Sequence, residues 1–305
     1  WQSYRNVEII VVDDGSTDNT YGYIKSKFKG KVKYLRNKIN KGPNYSMNLG
    51  IAASDGEYIH LLDSDSEIIN KDMIRNMVKF YSTIPNVGTL GGYFNINSKI
   101  SQAFVNESSD LVCFDLDEPN ALKKCDIVSS CNLFVKKEFV YKYRGFDDFI
   151  IGACLEDEFN LILRKNGFVN YFGQSISVTH HKDASERDNL GIKANFVDPQ
   201  LKIMLRILYG ERNYLRYYLK NMGIKAFLRV YIVRFFPAYL IPILAFIKQS
   251  FTGFKDKNIN KLSLKSKMVY FLFLIRYSID PFAWNIINFY KIKKYRSVNF
   301  IENKL

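Results

Sequence analysis

The chain has 305 residues, of which 47% are apolar, and a formal net charge of +14. That is enough for one large domain or two smaller ones around a substantial core. Its four cysteines, Cys113, Cys125, Cys131 and Cys154, form no CxxC pair, which excludes a zinc-type spacing and fits reduced, structural thiols in a cytosolic setting.

The chain opens on Trp1 and enters a strand almost at once, with no signal-peptide pattern, so a further N-terminal segment is expected. Residues 8–12 read as a buried, β-branched strand that breaks into a turn at Asp13-Asp14-Gly15-Ser16. N-capping residues follow at 16–20, and a helix is predicted over 21–28. Residues 32–35 are a short strand, and Asn40-Lys41-Gly42-Pro43 is a turn. A helix over 46–53 leads to a strand over 58–62, which breaks at a second acidic turn, Asp63-Ser64-Asp65. A helix is predicted over 71–81. Strand and helix in alternation imply an α/β fold, a mostly parallel sheet flanked by helices.

The middle is less regular. Residues 88–95 and 126–135 read as strands. A helix over 155–165 places Leu155, Phe159, Ile162 and Leu163 on one face, and Gly167 sits where a C-terminal cap belongs. Glu156-Asp157 opens that helix. Short strands over 169–172 and 176–179 end at His180-His181. Carboxylates that converge where strands end make a site for a divalent cation and polar ligands, at the carboxyl edge of an open sheet.

From residue 200 onward the composition changes. The tail holds 20 basic residues against 4 acidic ones, whereas residues 1–199 hold 24 against 26. Helices are predicted over 214–219, 224–236, 239–249 and 267–277. The uncharged run 235–247 is shorter than the ~20 apolar residues a spanning helix needs. A basic, aromatic, amphipathic tail fits an anionic membrane surface. The basic residues are interleaved with long apolar stretches, which argues against nucleic acid.

Three blocks of residues carry a resemblance. The first runs from Tyr4 to Thr20 through Asp13-Asp14-Gly15-Ser16. The second is Asn40-Lys41-Gly42, Asn48 and Asp55-Gly56-Glu57-Tyr58-Ile59, leading into Asp63-Ser64-Asp65. The third is Gly145-Phe146-Asp147, Glu156-Asp157, Arg164, Gly167 and His180. In order and spacing the chain resembles the family 2 inverting glycosyltransferases, which have a GT-A fold. The likeness covers roughly residues 1–185. It implies a GT-A domain over 1–198 that lacks its first strand, and with it part of the donor pocket. A helical, basic, membrane-associated region over 199–305 would follow.

The resemblance also implies roles. Asp13 and Asp14 would accept hydrogen bonds from the base or ribose of a UDP-, GDP- or dTDP-sugar, since an ionised carboxylate is acceptor-only. Asp14-Gly15 also fits a plain Asx-type turn. Asn40, Lys41 and Asn48 would reach the base or diphosphate. Asp63-Ser64-Asp65 resembles the metal-binding DxD motif. Asp65 would ligate Mg²⁺ or Mn²⁺, and Asp63 would touch ribose or the metal shell. His180 would complete that shell, with His181 as the alternative. Asp157 would be the general base and Glu156 its support, although acids at a helix N-terminus are also favoured by the dipole alone. Arg164 would brace the helix.

The expected activity is transfer of one hexose or deoxyhexose to a glycan or polyprenyl-linked acceptor, at the cytoplasmic face of the cell membrane. No Gln-x-x-Arg-Trp motif is present, which favours single addition over polymerisation. The alternative is a non-catalytic, membrane-attached relative that binds nucleotide sugar or glycan.

Overall fold

The computed structural model describes residues 2–96, 99–101, 122–148 and 156–181, with isolated helical positions between 215 and 287. The chain divides into two compact units. One comprises Trp1–Ile151, Leu155–Lys193 and Arg296–Leu305, and the other Gly152–Cys154 and Ala194–Tyr295.

The first unit begins with β1 (Ile10–Asp13), α1 (Thr20–Phe28), β2 (Lys33–Arg36), α2 (Pro43–Ala53) and β3 (Tyr58–Leu62). The turn Asp63-Ser64-Asp65 leads into β4 (Ser66–Ile68), then α3 (Met73–Thr83), β5 (Val87–Ile96) and β6 (Lys99–Ser101). After these come β7 (Leu122–Cys125), β8 (Asn132–Lys136), α4 (Lys137–Lys142), α5 (Asp157–Lys165) and β9 (Val169–His180). α2 starts earlier than the sequence suggests, because Pro43 serves as its first residue rather than as part of a turn. The two strands expected over 169–179 are one continuous strand, β9.

β1 and β2 pair in parallel as a small sheet of their own. The larger sheet has the order β3-β8-β5-β9-β4, with β6 added on β5 and β7 on β9. Strand–helix alternation predicts mostly parallel pairing, but this sheet is mixed. Among the described strands only β1–β2 and β5–β9 are parallel, and the other five pairings are antiparallel. β8 enters from the irregular segment 126–131 and runs antiparallel to both its neighbours, β3 and β5. Of the strand expected over 126–135, only the end from Asn132 is strand, as β8.

Side chains alternate cleanly across β8. Leu133 and Val135 join Ile51, Ile59, Val140, Phe146, Phe159 and Leu163 on the face covered by α2, α4 and α5. Phe134 joins Met73, Met77, Tyr81, Leu90, Ile176 and Val178 on the face covered by α3. Of the predicted apolar face of α5, Phe159 and Leu163 are buried, and Gly167 takes the left-handed conformation (φ +84°) just beyond the helix. Leu155 lies outside the described residues.

In the second unit, helical positions include Leu215, Leu219, Ile224, Leu228 and Ile247. Leu215, Leu219 and Asn285 are buried, while Ile224, Ile232 and Ile287 are exposed. Most of the four predicted tail helices lie outside the described residues. Among the described residues no helix is long and apolar enough to cross a membrane.

Candidate active site

Asp13 ends β1 opposite Arg36 at the end of β2. The Ser16 N–H donates to its Oδ1 at 2.7 Å, the Tyr34 hydroxyl donates to its Oδ2, and the Arg36 Nε lies 3.4 Å from Oδ2. Burial alone would raise this carboxyl. The hydrogen bonds from Tyr34 and Ser16, with the Arg36 guanidinium, outweigh burial and hold it below the usual carboxylate range. In turn, burial and the Asp13 contact push the Tyr34 phenol up to about 12.

Asp14 faces the other way, into the loop ahead of α2. Its carboxylate accepts from the Asn37 amide at 2.7 Å and from the backbone N–H groups of Lys41 and Gly42, each at 2.8 Å. Asn40 closes the same loop, with its Oδ1 accepting from the Gly42 N–H at 3.1 Å. The loop can come this close because residue 15 is glycine at φ +83°. A Cβ there would sit 2.9 Å from Asn40 N. Lys41 is exposed, with its ammonium 5.9 Å from the Tyr45 ring centre.

Asn48 differs from the sequence expectation. It is buried inside α2, and its amide is turned onto the backbone of Phe146, donating to the carbonyl at 2.6 Å and accepting from the N–H at 3.0 Å. Asn44, one turn earlier, donates to the Asp147 carbonyl at 2.7 Å. These asparagines stitch α2 to Gly145-Phe146-Asp147. They reach that segment rather than the acidic turns because both lie on the face of α2 that is packed into the core.

The second and third acidic segments are both tied to the turn Ser129-Ser130-Cys131. The Asp63 N–H donates to the Cys131 carbonyl at 3.3 Å, and a turn is closed by the Ser66 N–H on the Asp63 carbonyl at 2.9 Å. Both carboxylate oxygens of Asp65 are buried. Glu156, just ahead of α5, accepts from the Ser130 hydroxyl at 3.3 Å. Burial pushes the Cys131 thiol up to about 12 against a hydrogen bond from Ser129, and the carboxylates of Asp63, Glu156 and Asp65 add to the rise. Acids from two distant parts of the chain, Asp63 and Asp65 in one turn and Glu156 ahead of α5, therefore raise the same buried thiol.

Asp157 is the first residue of α5. His180 ends β9 in register with Ser66, the residue after Asp65, and the His181 N–H donates to the Asp65 carbonyl at 2.7 Å. The His181 ring instead meets Glu67 at 2.9 Å, both side chains being exposed. Among the described residues no three His, Cys, Asp or Glu side chains are grouped to hold a metal ion by themselves.

The family model for glycosyl transferase family 2 matches residues 2–144. Residues 2–144 are a family 2 glycosyltransferase domain. An uncharacterized glycosyltransferase of Haemophilus influenzae is 28% identical over 71% of this chain and 88% of its own length. The UDP-Glc:alpha-D-GlcNAc-diphosphoundecaprenol beta-1,3-glucosyltransferase WfaP of Escherichia coli is 34% identical over 27% of this chain and 32% of its own length. Among solved structures, GalNAc-T7 with UDP, GalNAc and Mn²⁺ superposes with a TM-score of 0.50 at 14% identity, covering 70% of this chain and 44% of that one. The last likeness bears on the fold, which is GT-A-like.

Sequence reasoning missed several residues that build this candidate site. Tyr34 and Arg36 close on Asp13 only through the β1–β2 register, and nothing in their local pattern signals it. Ser130 and Cys131 lie at the junction of the acidic turns but carry no charge. The polar triplet Ser129-Ser130-Cys131 before an apolar strand was the available signal for a turn. Arg164 does brace α5, through Asp126 at 2.8 Å.

Proposed function

We propose that this chain transfers one sugar from a nucleotide-sugar donor to a hydroxyl of a lipid-linked or glycan acceptor, with inversion at the anomeric carbon, in cell-surface polysaccharide or glycolipid synthesis. The observation that carries the reading is the fastening of two acidic segments to one turn, the Asp63 N–H on the Cys131 carbonyl at 3.3 Å and the Ser130 hydroxyl on Glu156 at 3.3 Å, with Asp157 the first residue of the adjoining helix. In this reading Asp157 takes the proton of the acceptor hydroxyl as its oxygen bonds to the anomeric carbon. The bond from that carbon to the diphosphate breaks, and the nucleoside diphosphate leaves with the electron pair. A positioned base of this kind contributes roughly 10²–10⁴-fold. Glu156 supports it through Ser130. Asp13 serves the base and ribose side, while Asp14 acts by shaping the Asn40-Lys41-Gly42 loop.

Carboxylate oxygens from Asp65 and Asp63, with His180 beside them in register, suit a hard divalent cation such as Mg²⁺ or Mn²⁺. Such an ion is ordinarily held by one or two carboxylates plus substrate phosphates, and would offset the charge on the departing diphosphate. The Mn²⁺ and UDP named with GalNAc-T7 and the diphosphoundecaprenol-linked substrate named for the E. coli relative support this choice of partners. The basic tail supports a place at the cytoplasmic face of the cell membrane.

The test is thermal stability against UDP, GDP and dTDP, each with and without Mn²⁺. One nucleotide is expected to raise the melting temperature, more so with the ion. The Asp157→Asn variant is expected to keep that shift and lose transfer to an undecaprenyl diphosphate-linked sugar. No shift with any nucleotide, in a folded sample, would favour the non-catalytic alternative.

A further inference from the structure

α5 is fastened to the segment 126–130 by three evenly spaced side-chain contacts. Arg164 pairs with Asp126 at 2.8 Å. Asn160 donates to the Val128 carbonyl at 3.1 Å and accepts from the Val128 N–H at 3.2 Å. Ser130 donates to Glu156 at 3.3 Å. The helix advances by four residues per contact and the segment by two. Residues four apart lie on one face of a helix, so the three contacts line one side of α5 and form a ladder.

Asn160 is the central rung and the most deeply held. It is fully buried, and its Oδ1 also accepts from the Thr89 hydroxyl of β5 at 2.8 Å. Its Nδ2 also donates to the Glu156 carbonyl at 3.0 Å, which clamps the first turn of the helix. Asn170 of β9, likewise buried, backs the ladder by donating to the Asp126 carbonyl at 3.0 Å and accepting from the Thr89 N–H at 3.1 Å. Burying this much amide in an apolar core is tolerated only because each group is hydrogen-bonded.

We propose that Asn160 is a positioning residue that sets the axial register of α5, and so fixes the height of Glu156 and Asp157 against the Ser130-Cys131 turn and the acidic turn beside it. The catalytic consequence rests on the transfer reading above; the register does not. The ladder runs from the far end of α5 to the residue that touches Glu156, so a slip at its middle is felt at the helix start. A displacement of about 1 Å at a reacting group can cost about 10²-fold in rate.

The experiment uses the full chain and the variants Asn160→Leu, Asn160→Asp and Thr89→Val, read by backbone hydrogen exchange and by steady-state transfer. Asn160→Leu is expected to speed exchange in the first turn of α5 while α3 stays as in wild type. It should lower kcat by about 10²-fold with KM for the nucleotide sugar within twofold. Asn160→Asp places a carboxyl against two carbonyl oxygens, where the protonated form is favoured and can donate to one of them. Its activity relative to wild type should therefore climb as pH falls, which the leucine variant cannot do. Thr89→Val, nearly isosteric, should shift exchange in the same direction by less, and it answers for the ladder if the leucine variant fails to fold. Wild-type exchange in α5 of Asn160→Leu or, failing that, of Thr89→Val would overturn the proposal. So would a rise in KM with kcat unchanged, or one pH profile shared by the Leu and Asp variants. If the wild-type chain transfers no sugar, the transfer reading fails, and exchange alone still decides the register.

Discussion

At Asp13 a carboxylate ends a strand in surroundings that decide its charge. Burial works against ionisation, yet Tyr34, Ser16 and Arg36 together win, because two donors and a cation meet a group with only acceptors. Since its folded pKa lies below the unfolded value of 3.8, Asp13 adds stability that is present above pH 4 and lost as the pH falls further. Tyr34 works at the other end of the scale. Its folded pKa is raised from 10.0 to about 12, so the hydroxyl's contribution is full below pH 10 and fades as the pH climbs toward 12. Tyr34→Phe should cost about 1.5 kcal/mol at neutral pH and remove the alkaline loss between those limits. Urea midpoints at pH 7 and pH 11 test both. At this scale the sequence was legible only in part. Asp13, Asp63 and Glu156 were recognisable because paired acids at strand and helix ends stand out. Tyr34, Cys131 and Asn160 were not, since each owes its place to a partner more than twenty residues away.

At the scale of elements, β3 was readable to its ends, because four apolar residues and His60 stand between a glycine-bearing turn and an acidic one. β4 was not. It has three residues and one partner among the described strands, β9, so its existence depends on a chain segment more than a hundred residues downstream. The mixed character of the sheet was hidden for the same reason, since its order β3-β8-β5-β9-β4 pairs strands far apart in the chain and an apolar pattern carries no strand direction. β5 and β9 come close enough to pair because β5 carries glycine at 92. A Cβ at Gly92 would lie 2.1 Å from the Ile176 carbonyl oxygen, which is backbone and cannot swing aside. Gly92→Ala is therefore expected to destabilise the sheet by about 1–3 kcal/mol, seen as a lower denaturation midpoint, whereas Gly30→Ala meets no neighbouring atom and should be limited to the strain of its positive φ.

For the whole molecule, charge separates the two regions more sharply than any motif does. The acids that build the site belong to a nearly neutral stretch, and the cationic excess belongs to residues 200–305. Deleting 200–305 should release the protein from liposomes containing anionic lipid, while the undeleted chain should cosediment with them and be shed as salt is raised. If the shortened chain still cosediments, the basic region is not the attachment. The fold class was legible because strand–helix alternation survives in a single sequence. The tail's architecture was not, because aromatic and basic residues mixed at helical spacing fit a packed subdomain and a membrane surface equally. The pairing of β5 with β9 also sets an order of events during synthesis. These parallel partners lie about eighty residues apart, and β9 is the last made of the described strands of its sheet. Until residue 181 has emerged from the ribosome, Asp65 lacks the His181 N–H that its carbonyl accepts. The nascent chain can thus complete its β1–β2 sheet early, but its acidic turn gains the β9 anchor only at the end, so a chain terminated between residues 158 and 168 carries every acid of the candidate site and lacks the strand that holds the turn.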